Sequence, residues 1–295
     1  MKYVLIGSLG HITKPLAGEL IAAGHEAVIV TSNAGRIPEI TALGAKAAIG
    51  SVDDLAFLTK TFTGADAIYT MVPPKFDVSN WKEYIHGIGR NYAAAIKASG
   101  VKKVVNLSSI GAHLAEGCGP VNGAHLVEQE LNRLDQVDVK HLRPGFFYTN
   151  LLNDINMIKH AGIFGNNYGG DSTVLLVHPV DIAAVAAAEL LRGNYTGKSI
   201  RYIVSDERTS KGIAAALGAA IGQPELPYVA FSDEEAVNGA VKAGLPLEIA
   251  RNFVEMGSAV RNGQMIADYK QHPVPFQKIK LEDFAKEFAI AFARS

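Results

Sequence analysis

Six short apolar runs, mostly bounded by Gly, Pro, Asp or Ser, alternate with helical patterns along the first half of the chain. The runs occupy residues 3–6, 27–30, 45–49, 67–71, 103–107 and 137–142. The clearest helical pattern repeats apolar residues every three or four positions from Val78 to Ile96 and is closed by Gly100. Apolar strands separated by helices are typical of a parallel sheet that is covered on both faces. The order therefore predicts an α/β fold, a Rossmann-type doubly wound parallel sheet.

The regular alternation weakens after Pro144, where a loop rich in Gly and Asn spans residues 162–170. A strand and a helix then resume the pattern, and helices dominate from residue 205 onward. We therefore predict a larger α/β domain and a smaller, mostly helical domain. The larger comprises residues 1–150 and 173–205, the smaller 151–172 and 206–280, and the last helix, 281–295, is expected to pack back on the larger domain.

A glycine-containing loop, Gly7-Ser-Leu-Gly-His-Ile-Thr13, follows the first strand and opens a helix. In this context the loop is typical of dinucleotide binding, because one glycine makes a tight turn and the next lets the backbone approach a pyrophosphate. Thr13 replaces the third glycine of that pattern, which usually permits close packing of helix on strand. Three interpretations stay open: the threonine caps the helix, the site has been lost, or the loop is a plain turn.

The end of the second predicted strand carries no carboxylate between residues 30 and 36. An acidic side chain there holds the ribose 2′-hydroxyl of NAD, whereas basic and polar groups accept the 2′-phosphate of NADP. Thr31, Ser32, Asn33 and Arg36 therefore favour NADP(H), with NAD(H) as the alternative. The competing interpretation is that Ser32 and Asn33 only form a turn and that Arg36 is a solvated charge.

Composition excludes several other classes of function. The formal net charge of −1 lacks the broad basic surface that nucleic acid selects. The longest apolar stretches, 182–188 and 213–221, are shorter than a membrane span. A single cysteine, Cys118, cannot form an intrachain disulfide and makes no zinc spacing with His113 or His125. We expect a cytoplasmic protein with no metal and no direct nucleic-acid or membrane partner, and a homodimer stays open.

Five segments resemble the NmrA-like family of atypical short-chain dehydrogenases/reductases. They are GADAIYTMVPP at 64–74, GVKKVVNLSS at 100–109, LRPGFFYTN at 142–150, VHPVDIA at 177–183 and, more loosely, AGLP at 243–246. The similarity covers nearly the whole chain and is greatest to the NADPH-dependent quinone reductases and related azo- or dye-reducing members. The family also contains redox-sensing regulators, so the resemblance alone does not imply catalysis.

The resemblance implies a role for each region that borders the cofactor. The implied cofactor residues are Gly7, Ser8, Gly10, His11, Ile12 and Thr13 at the pyrophosphate, Thr31, Ser32, Asn33 and Arg36 at the adenosine ribose, Met71, Val72 and Pro73 after the fourth strand, Ser108 after the fifth, and Pro144, Gly145 and Phe146 beside the nicotinamide. The substrate residues are Lys75, Phe76, Phe147, Tyr148 and Asn150. Many relatives have Lys or His at a helix position that aligns here with Ala124 or His125.

Standard short-chain dehydrogenases use Tyr-x-x-x-Lys, in which the lysine lowers the tyrosine pKa, and no tyrosine here has a lysine four residues later. A quinone-like or azo-like acceptor needs less acid catalysis, because its reduced form tolerates negative charge. We therefore predict an NADP(H)-dependent oxidoreductase that transfers hydride to a small aromatic acceptor. The alternative is a non-catalytic NAD(P)-binding redox sensor that acts through a protein partner.

Two side chains are candidates for hydrogen bonding or proton transfer to the acceptor. Tyr148 is expected beside the nicotinamide as a neutral donor, or as an aromatic wall with Phe146 and Phe147. His125 titrates near neutrality and is either a proton donor or a structural histidine.

Overall fold

The computed structural model describes residues 1–295 and contains a central seven-stranded parallel sheet. The strands of the whole chain are β1 (Lys2–Ile6), β2 (Glu26–Thr31), β3 (Lys46–Ile49), β4 (Ala67–Thr70), β5 (Lys103–Leu107), β6 (Asp138–Pro144), β7 (Phe146–Phe147), β8 (Phe164–Asn166), β9 (Thr173–Val177), β10 (Lys198–Ile203), β11 (Asp206–Thr209) and β12 (Tyr228–Ala230). The order in the main sheet is β10-β6-β5-β4-β1-β2-β3, and every pair is parallel.

Helices cover both faces of this sheet. The helices of the whole chain are α1 (Thr13–Ala22), α2 (Ile37–Ala42), α3 (Leu55–Phe62), α4 (Trp81–Ser99), α5 (Pro120–Asn132), α6 (Ile155–Ala161), α7 (Pro179–Arg192), α8 (Ser210–Ala220), α9 (Asp233–Lys242), α10 (Leu247–Arg261), α11 (Ala267–Gln271) and α12 (Leu281–Arg294). Helices α1 and α7 pack on one face, and α3, α4 and α5 pack on the other. The predicted Rossmann-type doubly wound fold is confirmed. No helix combines the length and the apolar composition that crossing a membrane requires.

Local signals in the sequence explain where the long helix α4 begins and ends. The side chain of Asn80 accepts a hydrogen bond from the backbone N–H of Glu83 at 3.0 Å, which caps the first turn. Gly100 closes the helix in the left-handed conformation, with φ at 75°. The helix therefore begins at Trp81, three residues after the first apolar position of the predicted pattern.

The chain after β6 builds two small sheets beside the main one. Strand β9 pairs in parallel with β7 and antiparallel with β11, and β8 pairs with β12. Only β10 returns to the main sheet, next to β6.

The last helix packs in a core that contains residues of both predicted domains, including Val174 and Leu176 of β9. Phe284 and Phe288 of α12 are buried in a core with Leu151, Ile213 and Leu217. This core takes the apolar stripe of α12 because α8 presents a matching apolar face. Helices α8 and α12 are about 70 residues apart in the chain, so the helical pattern of α12 alone does not reveal its partner.

Candidate functional site

The glycine loop after β1 has a backbone that only a small residue allows. Gly7 has φ at 120°, and a Cβ atom there would lie 2.5 Å from Oγ1 of Thr13 and 3.4 Å from the side chain of Met71. Ser8 is also left-handed, and its hydroxyl donates to Oγ1 of Thr31 at 2.9 Å. The loop therefore connects the carboxyl ends of β1, β2 and β4, where a parallel sheet of this type binds ligands.

Thr13 joins helix to strand, and it does not cap the helix. Its buried hydroxyl donates to the carbonyl of Ile6 at 3.0 Å, and the capping position, Ile12, makes no side-chain hydrogen bond. The threonine thus replaces close glycine packing with a direct bond between α1 and the end of β1. The open interpretation of Thr13 as a helix cap is wrong.

Donors for an anion are available where α1 begins. The backbone N–H groups of His11, Ile12 and Thr13 donate to no carbonyl of the chain. Free N–H groups at a helix N-terminus, with the helix dipole behind them, favour a phosphate. The residues that the sequence assigns to the pyrophosphate therefore form a cradle of the required chemistry, and Gly7 keeps it open.

Glu39 of α2 brings a carboxylate beside the end of β2, although residues 30–36 contain none. Arg36 pairs with Glu39 at 3.1 Å, and Lys14 of α1 pairs with the other oxygen of Glu39 at 2.9 Å. Hydrogen bonds from Lys14 and then Arg36 lower the pKa of the Glu39 carboxyl. Asn33 forms the expected turn, since its side chain accepts from the N–H of Gly35 at 2.9 Å. Ser32, Asn33 and Arg36 stay exposed beside this turn.

The segment after β4 is mostly apolar and reaches the second domain. Met71, Val72 and Pro73 are half-buried, and Met71 lies against the glycine loop. Phe76 lies edge-on to Trp81 and Phe253, with ring centroids 5.3 and 6.2 Å apart. Because Phe253 belongs to α10, this aromatic contact joins the segment after β4 to that helix.

Lys75 sits beside that aromatic contact. Its ammonium lies 5.3 Å from the ring centroid of Tyr84. Phe76 is exposed and thus accessible to a substrate, whereas the neighbouring Trp81 is buried.

Ser108 begins a buried polar network that was not expected from the sequence. Its hydroxyl donates to Glu128 at 2.6 Å. Arg143 donates to both oxygens of Glu128, at 2.9 and 2.6 Å, and to Asp268 of α11 at 3.2 Å. Tyr202 also donates to Asp268. The network fastens the ends of β5 and β6 to the second domain, through residues that share no sequence motif.

Two histidines near this network have structural surroundings. The Nδ1 of His125 donates to the carbonyl of Ala112 at 2.9 Å, which fastens the loop after β5 to α5. This bond agrees with a structural histidine, and a proton-donor role stays a prediction. Both ring nitrogens of His113 are buried without a hydrogen-bond partner, and burial lowers the pKa of its imidazole. His113 is therefore neutral near pH 7.

Tyr148 lies in the core that surrounds α8 and α12, although the sequence predicts it beside the nicotinamide. Its side chain is fully buried, and its ring stacks on Phe284 with centroids 5.4 Å apart. The hydroxyl reaches the carbonyl of Ile279 at 3.5 Å, and burial raises the pKa of this phenol above its usual value. The turn after β7 directs the ring into this core, so the side chain has no exposed surface in this structure.

The residues around Tyr148 divide between the two sides of β7. Phe147, like Met71, packs against the core that α1 and α7 form with one face of the main sheet. Phe146 instead lies edge-on to Tyr168. Pro144 is buried, and Asn150 is exposed on the following turn. A Cβ atom on Gly145 would lie 2.5 Å from the carbonyl oxygen of Leu175. Gly145 is therefore required where β6 crosses β9.

Comparisons with known proteins agree with this geometry. The sequence profile of a family described as NAD(P)H-binding matches residues 7–165. The (4-alkanoyl-5-oxo-2,5-dihydrofuran-3-yl)methyl phosphate reductase of Streptomyces griseus is 25% identical over 263 residues, which are 88% of this chain and 87% of that protein.

Two solved structures superpose on nearly the whole chain. An NADPH-dependent quinone oxidoreductase from Escherichia coli, complexed with NADPH, has a TM-score of 0.80 at 20% identity and covers 97% of this chain and 99% of its own. The triphenylmethane reductase of Citrobacter sp., complexed with NADP(H), has a TM-score of 0.80 at 19% identity with the same coverage. These two similarities establish the fold.

Proposed function

The chain belongs to the NAD(P)H-binding family, and from that premise we propose that it is an NADPH-dependent reductase of electron-poor, quinone-like or azo-like acceptors. The observation that carries the proposal is the chemistry around the end of β4. Met71, Val72 and Phe76 offer an apolar border, and the one tyrosine assigned to the nicotinamide, Tyr148, is buried in another core. Such surroundings suit an acceptor that stabilises its own negative charge.

The residues of this chain bind and orient, and the bound nicotinamide supplies the hydride. The N–H groups of residues 11–13 would hold the pyrophosphate, and Gly7 would let it approach the backbone. Met71 and Phe147, both partly buried against the core of the first face, would border the nicotinamide ring. Apolar walls exclude water from the acceptor. The rate of hydride transfer therefore depends mainly on holding the acceptor against the nicotinamide ring.

The names of similar proteins support the same class of acceptor. Quinones and triphenylmethane dyes are conjugated and electron-poor, and the dihydrofuranone of the Streptomyces reductase carries carbonyl groups conjugated with its ring double bond. Each gives a reduced product whose charge is delocalised or easily protonated by solvent. A simple ketone gives a localised alkoxide, which needs an acid such as the Tyr-x-x-x-Lys pair that this sequence lacks.

The test is NADPH oxidation by the purified protein with a panel of acceptors. A naphthoquinone, an azo dye and a triphenylmethane dye are compared with cyclohexanone under the same conditions. We expect turnover with at least one conjugated acceptor and none with the ketone. Reduction of the ketone alone, or no turnover with any conjugated acceptor, contradicts the proposal.

A redox sensor is the second candidate, because a protein that only binds the dinucleotide does not require the Tyr-x-x-x-Lys pair that this sequence lacks. A sensor must bind the reduced and oxidised dinucleotides with different affinities in its two states. If the protein binds NADP and NADPH with equal affinity in the absence of turnover, this candidate is excluded. A partner that associates with only one of the two loaded forms would support it.

A further inference from the structure

The exposed side chains of Lys14, Arg36 and Glu39 form a trio beside the end of β2. The trio joins α1 to the start of α2. Each oxygen of the Glu39 carboxylate accepts from one cation, Lys14 at 2.9 Å and Arg36 at 3.1 Å. All three side chains are about half exposed, at 52%, 48% and 44% for Lys14, Arg36 and Glu39. The trio is therefore open to a ligand and to solvent.

Its place in the fold is that of the adenosine 2′ position. Ser8 of the glycine loop and Asn33 both donate to Oγ1 of Thr31, at 2.9 and 3.2 Å, so the loop and the end of β2 form one surface. Lys14 of the trio also borders a groove of about 480 Å³ that runs along α1 from Gly10 and His11 to Leu43 and Val180. In a Rossmann-type fold this surface carries the ribose whose 2′ substituent distinguishes NADP from NAD.

The charges in this trio oppose one another. Lys14 and Arg36 contribute two positive charges and Glu39 one negative charge, so the local sum is +1. A phosphate monoester carries about −1.5 to −2 at neutral pH and requires the cations that Glu39 already engages. It also meets repulsion from that carboxylate. A ligand without the phosphate meets neither effect.

We propose that Glu39 is a specificity-determining residue that competes with the 2′-phosphate for Lys14 and Arg36 and so sets the ratio of affinities for NADPH and NADH. This inference rests on the proposed use of NADPH. Glu39 holds the two cations in place while no phosphate is bound, and it moderates the preference for NADPH that Arg36 creates. The chain thereby keeps measurable affinity for both cofactors.

The test measures binding by calorimetry to the full chain and to Glu39→Gln. Ligands are adenosine 2′,5′-bisphosphate, adenosine 5′-diphosphate, NADPH and NADH. The control variant is Glu26→Gln, because Glu26 pairs with Lys46 at 2.9 Å at the opposite end of β2. Thermal melting of all variants checks that each is folded.

We expect Glu39→Gln to bind the two 2′-phosphate ligands about two- to fivefold more tightly, the scale of exposed charge pairs. The other two ligands should bind as they do to the unmodified chain, and Glu26→Gln should change nothing. Lys14→Met should weaken only the 2′-phosphate ligands. Unchanged or weaker binding of these ligands by Glu39→Gln overturns the proposal, as does weaker binding of NADH, which would assign Glu39 to the ribose hydroxyls.

Fragment binding separates this proposal from the reductase. If no acceptor is reduced and the fragments respond as expected, the reductase fails and the role of Glu39 stands. If acceptors are reduced and Glu39→Gln leaves every affinity unchanged, only the role of Glu39 fails.

Discussion

Replacing Glu128 with glutamine removes the charge that neutralises Arg143 inside the protein. The two side chains are almost fully buried, with 4% and 8% exposed, and join through two hydrogen bonds of 2.9 and 2.6 Å. Glutamine keeps the volume and one acceptor oxygen, so the loss is mainly electrostatic. The variant should be folded and clearly less stable.

The magnitude follows from the surroundings of the arginine. Removing one partner of a buried ion pair costs about 3 to 5 kcal/mol. Asp268 remains 3.2 Å from the guanidinium and still neutralises part of its charge, so we expect the lower end of that range. At about 2 to 4 °C per kcal/mol for a protein of this size, the melting temperature should fall by about 6 to 12 °C.

The assay is thermal unfolding by calorimetry or circular dichroism at neutral pH. The control is Asp171→Asn, which breaks a 3.0 Å pair with Lys211 on the surface and should shift the melting temperature by less than about 3 °C. Glu128→Met combined with Arg143→Met removes both charges and should be more stable than Glu128→Gln. A fall no larger than that of Asp171→Asn would refute the argument that this pair is shielded from water.

Four further outcomes test other parts of the structure. Tyr148→Phe should change kcat less than tenfold, below about 1.4 kcal/mol, because the ring lies in a core; a thousandfold loss in steady-state assays would restore the tyrosine to the active site. Thr13→Val should lower the free energy of unfolding by about 1 to 2 kcal/mol in denaturant titrations, since the bond to Ile6 is lost at nearly constant volume; an unchanged value would contradict that role. Burial raises the pKa of Asp154 to about 7, so the native protein keeps a proton that the unfolded chain releases, and stability falls as the pH rises from about 4 through 7. Melting at pH 5 and pH 8 should show that Asp154→Asn removes part of this loss, and equal pH dependence in both proteins would refute it. Arg36→Ala should weaken NADPH by about 1 to 3 kcal/mol in calorimetry and leave NADH unchanged, whereas equal losses for both would remove Arg36 from the 2′-phosphate site.

The sequence by itself determined the elements whose signals are local. Apolar runs between turn residues predicted the first six strands, and Gly100 marked the end of α4 because glycine adopts a left-handed cap without strain. Ser232 and Glu235 form the capping box that their spacing predicts at the start of α9. The glycine loop predicted the cofactor class for the same reason, since strand, turn and helix are contiguous in the chain.

Contacts between distant residues decided the rest. Lys14 and Glu39 stand 25 positions apart, and Arg143 and Asp268 stand 125 apart, so no periodicity brings either pair into view. The stripe of α12 shows that the helix needs an apolar partner, and only the packed structure selects α8. Tyr148 belongs to a segment that the sequence predicts near the cofactor, yet the direction of its ring depends on its stacking against Phe284 of α12. Hydrophobic burial is non-directional, so a sequence pattern specifies that a face must be covered and the tertiary structure determines which residues cover it.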